Sequence, residues 1–282
     1  MTTNMSTYVL RIDCSDRKGL VHSVTGVLFK HGFNITSNGE FVDNERGHFF
    51  MRTEFVGEPV KDELTAELRI QLPEDASVEL IETRKKDIVI FVSTEPHCLG
   101  DLLIRHAYDE INARIRAVVS NHERLQALVE GFQLPFHYVS HEGVTRQQHE
   151  RTIRQINDGY RPDYLILARY MRIFTPEFIS AYNNRIVNIH HSFLPAFIGA
   201  NPYRQAYERG VKIIGATAHL VTNDLDEGPI ITQDVTQVDH TYGPHEMQQA
   251  GRDVEKVVLA KALKLIFEDR VFINRNKTII FE

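Results

Sequence analysis

Cysteine is scarce: the chain of 282 residues has two, Cys14 and Cys98, far apart and without CxxC spacing. That pattern argues against a disulfide framework and fits two reduced thiols in a cytosolic protein. No apolar run approaches the ~20 residues that cross a bilayer. The opening Met1–Ser6 is polar and lacks a signal-peptide core, so the expectation is a cytoplasmic protein with no membrane partner. Low-complexity stretches are missing too. Basic residues are scattered and the formal net charge is -6, whereas binding to a phosphate backbone draws on massed Lys and Arg. No nucleic-acid partner is expected, although one or two local charges still suffice for a small anionic substrate.

What remains is an ordinary globular composition, 42% hydrophobic and 25% charged, in a chain long enough for two domains that need no staples. The first strand is expected at Thr7–Asp13. A helix follows with an apolar stripe of Leu20, Val24, Val27 and Leu28, capped by Asp16 and stopped at Gly32. Strands at Phe33–Val42 and His48–Val56 flank a turn at Asp43–Gly47. A second helix face runs through Val60, Leu64, Leu68 and Leu72, and Ser77–Thr83 closes a ferredoxin-like β-α-β-β-α-β unit. The charged Arg84–Lys86 stretch separates a domain of residues 1–84 from one of residues 87–282.

Beyond it the pattern changes. Asp87–Ser93, Ile115–Val119 and Tyr164–Ala168 are continuous apolar runs, the mark of strands covered on both faces. Shorter strands are expected at Phe136–Val139, Arg185–Asn188, Gly215–Thr222 and Ile230–Val235, with helices between most of them. Late in the chain a long helix starts near Gly243–Pro244 with Val254, Val257, Val258, Leu265 and Ile266 on its apolar face, and a hairpin turns at Asn274–Lys277. Strand and helix in alternation mean a doubly wound, mostly parallel sheet, with ligands bound beyond the carboxyl ends of its strands.

Three stretches carry polar residues at such positions: Asn188–Pro195, His219–Thr222 and Leu225–Pro229. In an extended segment the side chains of Asn188 and His190 point the same way, as a pair of oxyanion donors would. Asp226 supplies a carboxylate to orient water and take its proton. Two plainer readings compete. Asn188 and His190 end a strand and satisfy backbone groups, or His190, His191, His219 and Asp226 ligate zinc, although no HExxH or cysteine partner is present. His191 reads as structural, and His219 as either a satisfied strand histidine or a neighbour of the site.

The string from Asn188 to Gly228 resembles the formyltransferase fold of enzymes that use 10-formyltetrahydrofolate, whose Asn, His two residues on, and Asp of an LDxGP segment correspond to Asn188, His190 and Asp226. The resemblance also places Met171, Arg172, Ile173 and His219 at the substrate, the first three in the loop whose backbone holds the pterin ring. It implies no metal and no cofactor, the folate being the substrate. Asp16–Val21 (DRKGLV) resembles the start of an ACT regulatory domain, which implies an amino-acid effector, methionine or glycine, held near Asp16, Gly19 and Leu20, and edge-to-edge assembly into a homo-oligomer. ACT followed by formyltransferase is the layout of the formyltetrahydrofolate deformylases, which Asn188–Tyr203 (NIHHSFLPAFIGANPY) is very similar to. The implied reaction is hydrolysis of 10-formyltetrahydrofolate to tetrahydrofolate and formate, balancing one-carbon pools and supplying formate for purine synthesis.

One departure separates this chain from transformylases that formylate a ribonucleotide. Their Gly- and Ser-rich phosphate loop is replaced by Ser93–Cys98, where Pro96 removes a donor and Glu95 repels a phosphate. Formyl transfer to a small amine, or a folate or amino-acid sensor without turnover, are the other functions carried forward.

Overall fold

The computed structural model describes residues 6–195 and 202–282. Met1–Met5 and the Ala196–Asn201 part of the Asn188–Tyr203 string lie outside the described residues. Backbone contacts divide the chain into two units. The first is Met1–Arg84 with Glu268–Phe272 and Phe281–Glu282; the second is Lys85–Phe267 with Ile273–Ile280.

The first unit runs β1 (Thr7–Ser15), α1 (Leu20–Lys30), β2 (Asn34–Asp43), β3 (His48–Val56), α2 (Lys61–Gln71) and β4 (Ser77–Glu82). Its antiparallel sheet has the order β2-β3-β1-β4, which with the element sequence is the ferredoxin-like arrangement expected. Leu10, Ile12 and Cys14 of β1 alternate inward and meet Leu20, Val24 and Leu28 of α1 and Leu64 and Leu68 of α2. The late residues join this unit for a polar reason. Arg52, buried in β3, spends its guanidinium on the carbonyls of Glu268 and Asp269, and Arg11 donates to Val271 O at 2.8 Å.

Two expectations fail here. Asp16 does not cap α1: the cap position is Gly19 at φ 90°, and no side chain accepts a cap hydrogen bond. A left-handed backbone at that point suits glycine, and Asp16 lies three residues before the cap position. Val60 is not on the buried face of α2, because it sits at the extended cap position and is exposed.

The second unit contains β5 (Lys86–Val92), α3 (His97–Ala107), β6 (Ala113–Ser120), α4 (Gln126–Gly131), β7 (Phe136–Tyr138), α5 (Arg146–Tyr160), β8 (Tyr164–Leu167), α6 (Pro176–Ala181), β9 (Ile186–His190), α7 (Pro202–Arg209), β10 (Ile213–Leu220), β11 (Ile230–Gln237) and α8 (Pro244–Phe267). Strands β12 (Val271–Asn274) and β13 (Lys277–Ile280) form the expected terminal hairpin. The seven-stranded order is β11-β10-β9-β8-β5-β6-β7, parallel from β9 to β7 and antiparallel at β10 and β11. Ile88 to Val92 are all buried, as a strand covered on both faces requires. Helix α8 buries Met247, Gly251, Glu255, Val258, Leu259, Ala262 and Leu263. Val257, expected on that face, is exposed; the stripe follows the 3.6-residue period through Leu259 instead. No described helix is long and apolar enough to cross a membrane.

Candidate active site

Parallel strands β8 and β9 end side by side at the middle of the large sheet, and the chain leaving each wraps a cavity of about 370 Å³. Arg169–Phe174 after β8 form one wall, and Asn188–His191 another. Antiparallel β10 brings His219 opposite Asn188, and Val221–Asp226 close the remaining side. The structure thus gathers Asn188, His190, His219, Asp226, Met171, Arg172 and Ile173 around one space, from segments up to fifty-odd residues apart in sequence.

Asp226 faces both histidines. His190 Nδ1 lies 3.3 Å from Asp226 Oδ1 and His219 Nε2 lies 3.7 Å from it, the second being beyond hydrogen-bond length. Burial pushes the Asp226 carboxyl up, but the opposing contributions, led by the His190 hydrogen bond, outweigh it and hold the group well below the usual carboxylate range. The carboxylate is therefore ionised throughout the neutral range. The Nε2 of His190, a buried nitrogen lining this cavity, has no partner. A buried polar atom left open is costly unless a substrate or water uses it.

The tautomer of His219 follows from its neighbours. Its Nδ1 is 2.9 Å from the Leu220 carbonyl, which can only accept, so Nδ1 carries the proton. Nε2 then accepts from Asn188 Nδ2 at 3.1 Å. Asn188 is left with one amide hydrogen and its oxygen for the cavity. His219 answers to both readings taken from the sequence: it is a buried strand histidine with both ring nitrogens satisfied, and it lines the cavity beside Asn188.

The loop holding Asp226 is placed by backbone contact. Asp226 has φ 58°, and Leu220 N donates to Pro229 O at 2.9 Å. A Cβ built on Gly228 would stand 1.8 Å from Leu220 O. Only glycine lets the LDEGP turn lie against the end of β10. The chain after β9 is fixed by Thr217, which sequence reading overlooked. Its hydroxyl donates to Ser192 O at 2.9 Å and accepts from Leu194 N and from Gln233 Nε2, which also binds Leu194 O. A threonine inside an apolar strand was the available signal.

Glu255 was missed as well. It is wholly buried on α8, 2.7 Å from His97 Nε2 and 3.4 Å from Arg169 Nε, and accepts from Tyr203 Oη at 2.5 Å. Burial pushes its carboxyl up, yet His97, Arg169 and Tyr203 together hold it below its ordinary value. The sequence signal was a glutamate four residues from Gly251 and from Leu259, on the helix's inward stripe. Nearby, Glu95 pairs with Arg252 at 2.6 Å. The repulsion expected of Glu95 is therefore largely internal charge pairing. His191, buried beside Arg169 and His190, is pushed down to about 3 and stays neutral.

Among the described residues, the group of three whose metal-ligating atoms approach within 4.8 Å is His97, Cys98 and Glu255, not the histidines of the cavity. Burial and Glu255 push the Cys98 thiol well up. Glu255 is already occupied by hydrogen-bond donors, and a guanidinium stands beside it. That chemistry fits a closed hydrogen-bonded cluster rather than a cation.

In the first unit Gly19 and Leu20 begin α1, but the Leu20 side chain belongs to the core and Asp16 is exposed, its N–H bound to Gly47 O. Of these three, a ligand at the helix start would meet the backbone of Gly19 and Leu20.

Comparison with known proteins agrees with this architecture. Residues 86–263 match the family model described as formyl transferase, and residues 8–72 the ACT domain. Formyltetrahydrofolate deformylase of Haemophilus influenzae is 53% identical over 272 residues, covering 96% of this chain and 98% of the relative. That of Escherichia coli K12 is 54% identical over 96% and 97%. The crystal structure of a formyltetrahydrofolate deformylase from Pseudomonas syringae superposes with TM-score 0.94 at 39% identity, over 100% of this chain and 96% of that one. A glycinamide ribonucleotide transformylase from Symbiobacterium toebii covers 70% of the chain at TM-score 0.65 and 28% identity, and so shares the second unit's fold but not the whole layout. An ACT domain followed by a formyltransferase domain, matched along nearly its whole length, makes this chain a member of the formyltetrahydrofolate deformylase family.

Proposed function

We propose that the chain hydrolyses 10-formyltetrahydrofolate to tetrahydrofolate and formate, with Asn188, His190 and Asp226 as the catalytic residues. The observation that carries the reading is the open Nε2 of buried His190, backed through Nδ1 by the ionised Asp226 and flanked by the Asn188 amide. Met171, Arg172 and Ile173 line the cavity with half-buried or exposed side chains and give the flat folate ring an apolar, backbone-lined wall.

The steps follow from these atoms. The free Asn188 Nδ2 hydrogen donates to the formyl oxygen. Water bound at His190 Nε2 attacks the formyl carbon, and its proton passes to Nε2 as the C–O bond forms. Asp226 stabilises the imidazolium through Nδ1, and the oxyanion rests against Asn188 and the newly protonated His190. His190 then returns the proton to N10 as the C–N bond breaks. Formic acid loses its remaining acidic proton to solvent, leaving formate. His219 holds Asn188 in the donating orientation. The scheme uses no metal and no cofactor.

The reading fits a supply of formate to purine synthesis in the cytoplasm. The ACT domain would take methionine or glycine at the backbone N–H groups of the α1 start, and the chain would assemble as a homo-oligomer. Formate release with no amine present tests the reaction: release at a rate proportional to enzyme supports it, whereas release only on adding an amine favours formyl transfer. Calorimetric titration with methionine and with glycine tests the effector, and light scattering that finds a monomer at micromolar concentration would contradict the assembly.

A further inference from the structure

In the cavity wall that receives the folate ring in this reading, Tyr170 and Phe174 are buried against Phe91, whereas the residues between them are not. Met171 and Ile173 are exposed, and Arg169, where the wall begins, has φ 67°, a left-handed backbone that costs energy outside glycine. Between the two buried rings, exposed Met171 and Ile173 add little packing, so the backbone there depends on its hydrogen-bond anchors as well.

Two of those anchors are a single residue on the neighbouring strand. Ser93, buried just past the end of β5, donates its N–H to Arg169 O at 3.2 Å, and its Oγ accepts from Met171 N at 3.0 Å. The hydroxyl hydrogen goes the other way, to Asn121 Oδ1 at 2.7 Å, and Asn121, also buried, reaches His141 Nδ1 at 3.3 Å through its amide nitrogen. Each link fixes the next. Met171 N can only donate, so the Ser93 hydrogen must point at Asn121 Oδ1, and Asn121 Nδ2 donates to His141 Nδ1. The chain runs from the cavity wall after β8, past the ends of β5 and β6, to His141 beyond β7, and Ser93, Asn121 and His141 are not among the cavity's lining residues.

We propose that Ser93 and Asn121 are positioning residues for substrate: they set the Arg169–Ile173 backbone at the height the folate ring needs, and contribute to binding rather than to the chemical step. The proposal rests on the folate reading above. Removing the Ser93 hydroxyl leaves Asn121 Oδ1 buried without its donor and Met171 N–H without its acceptor, and the loop entered through Arg169 relaxes away from the ring. His190, Asn188 and Asp226 are held by β9, β10 and the LDEGP turn, so they stay in place.

The test is steady-state formate release across substrate concentration, with thermal unfolding alongside, for Ser93→Ala, Asn121→Leu and Asn121→Asp. Ser93→Ala and Asn121→Leu should raise KM about tenfold, as the loss of one buried hydrogen bond implies, with kcat within about threefold of wild type. Asn121→Asp keeps the acceptor for Ser93 and should return KM most of the way. Folded variants with unchanged KM, or with kcat falling alone, would overturn the proposal and leave Ser93 and Asn121 a merely structural role. Should Ser93→Ala fail to fold, Asn121→Leu against Asn121→Asp decides. A wild-type protein that releases no formate speaks against hydrolysis only; calorimetric binding of tetrahydrofolate then carries the same comparison, Kd replacing KM. Wild type that neither turns over nor binds overturns both.

Discussion

A methyl group added at Gly228 should disable the enzyme while leaving most of the fold intact. The Cβ would lie 1.8 Å from the Leu220 carbonyl oxygen, whereas a carbon and a carbonyl oxygen approach to about 3.3 Å at closest. Backbone stands on both sides of the clash, so no flexible side chain can yield, and the turn must move by about 1.5 Å by that comparison. Asp226 lies two residues away on the same turn, and its 3.3 Å approach to His190 Nδ1 does not survive such a displacement. A misplacement of about 1 Å at a reacting group costs on the order of 10²-fold. Gly228→Ala should therefore lose about that factor in formate release, with cooperative unfolding retained. Gly26→Ala is the control: it lies in α1 with nothing within 4 Å of its added Cβ, and a helical Gly-to-Ala change should leave activity unchanged and raise stability by about 0.4–1 kcal/mol. Gly228→Ala turnover within threefold of wild type would refute the argument that this turn places the carboxylate.

Other expectations are separable. Asn188→Ala should lower kcat by about 10²–10³-fold as one oxyanion donor is lost, and rate measurements at saturating substrate check it. On α8, Leu259→Ala should destabilise by about 2–5 kcal/mol, whereas Val257→Ala on the exposed side should stay within about 0.5 kcal/mol by denaturant unfolding; equal effects would contradict the observed helix face. The pH dependence of stability has a definite sign. The folded Asp226 carboxyl titrates below its unfolded value of about 3.9. Its contribution is complete above that value and is lost as pH falls through the folded one. The stability difference between wild type and Asp226→Asn should be constant from pH 7 to 5 and shrink below about pH 4; a difference unchanged down to pH 3 would count against the depressed carboxyl.

What could be read without coordinates divides along a physical line. Strand alternation in Leu10, Ile12 and Cys14, and continuous burial in Ile88–Val92, follow from local patterns and gave both sheets. The cap of α1 did not, because a carboxylate at Asp16 and a left-handed Gly19 are equally good ways to start a helix and only the turn geometry chooses. Asn188, His190 and Asp226 could be singled out because the first two end a buried strand and because the segment to Gly228, with its LDEGP, resembles the formyltransferase pattern. Thr217, Gln233 and Glu255 were not: their partners lie 16 to 158 residues away, and nothing local distinguishes a buried glutamate from one on a solvated face. Ser93 was noted as part of a loop, but its anchoring of Arg169 and Met171 depends on strand order, which a sequence does not display.

The central claim is a water-using active site whose carboxylate is Asp226, and formate release from 10-formyltetrahydrofolate with no amine present tests it most directly. Steady release by wild type that collapses in Asp226→Asn, with folate binding retained, is the predicted result. Release that persists at the wild-type rate in Asp226→Asn, or fails in folded, folate-binding wild type, would contradict it.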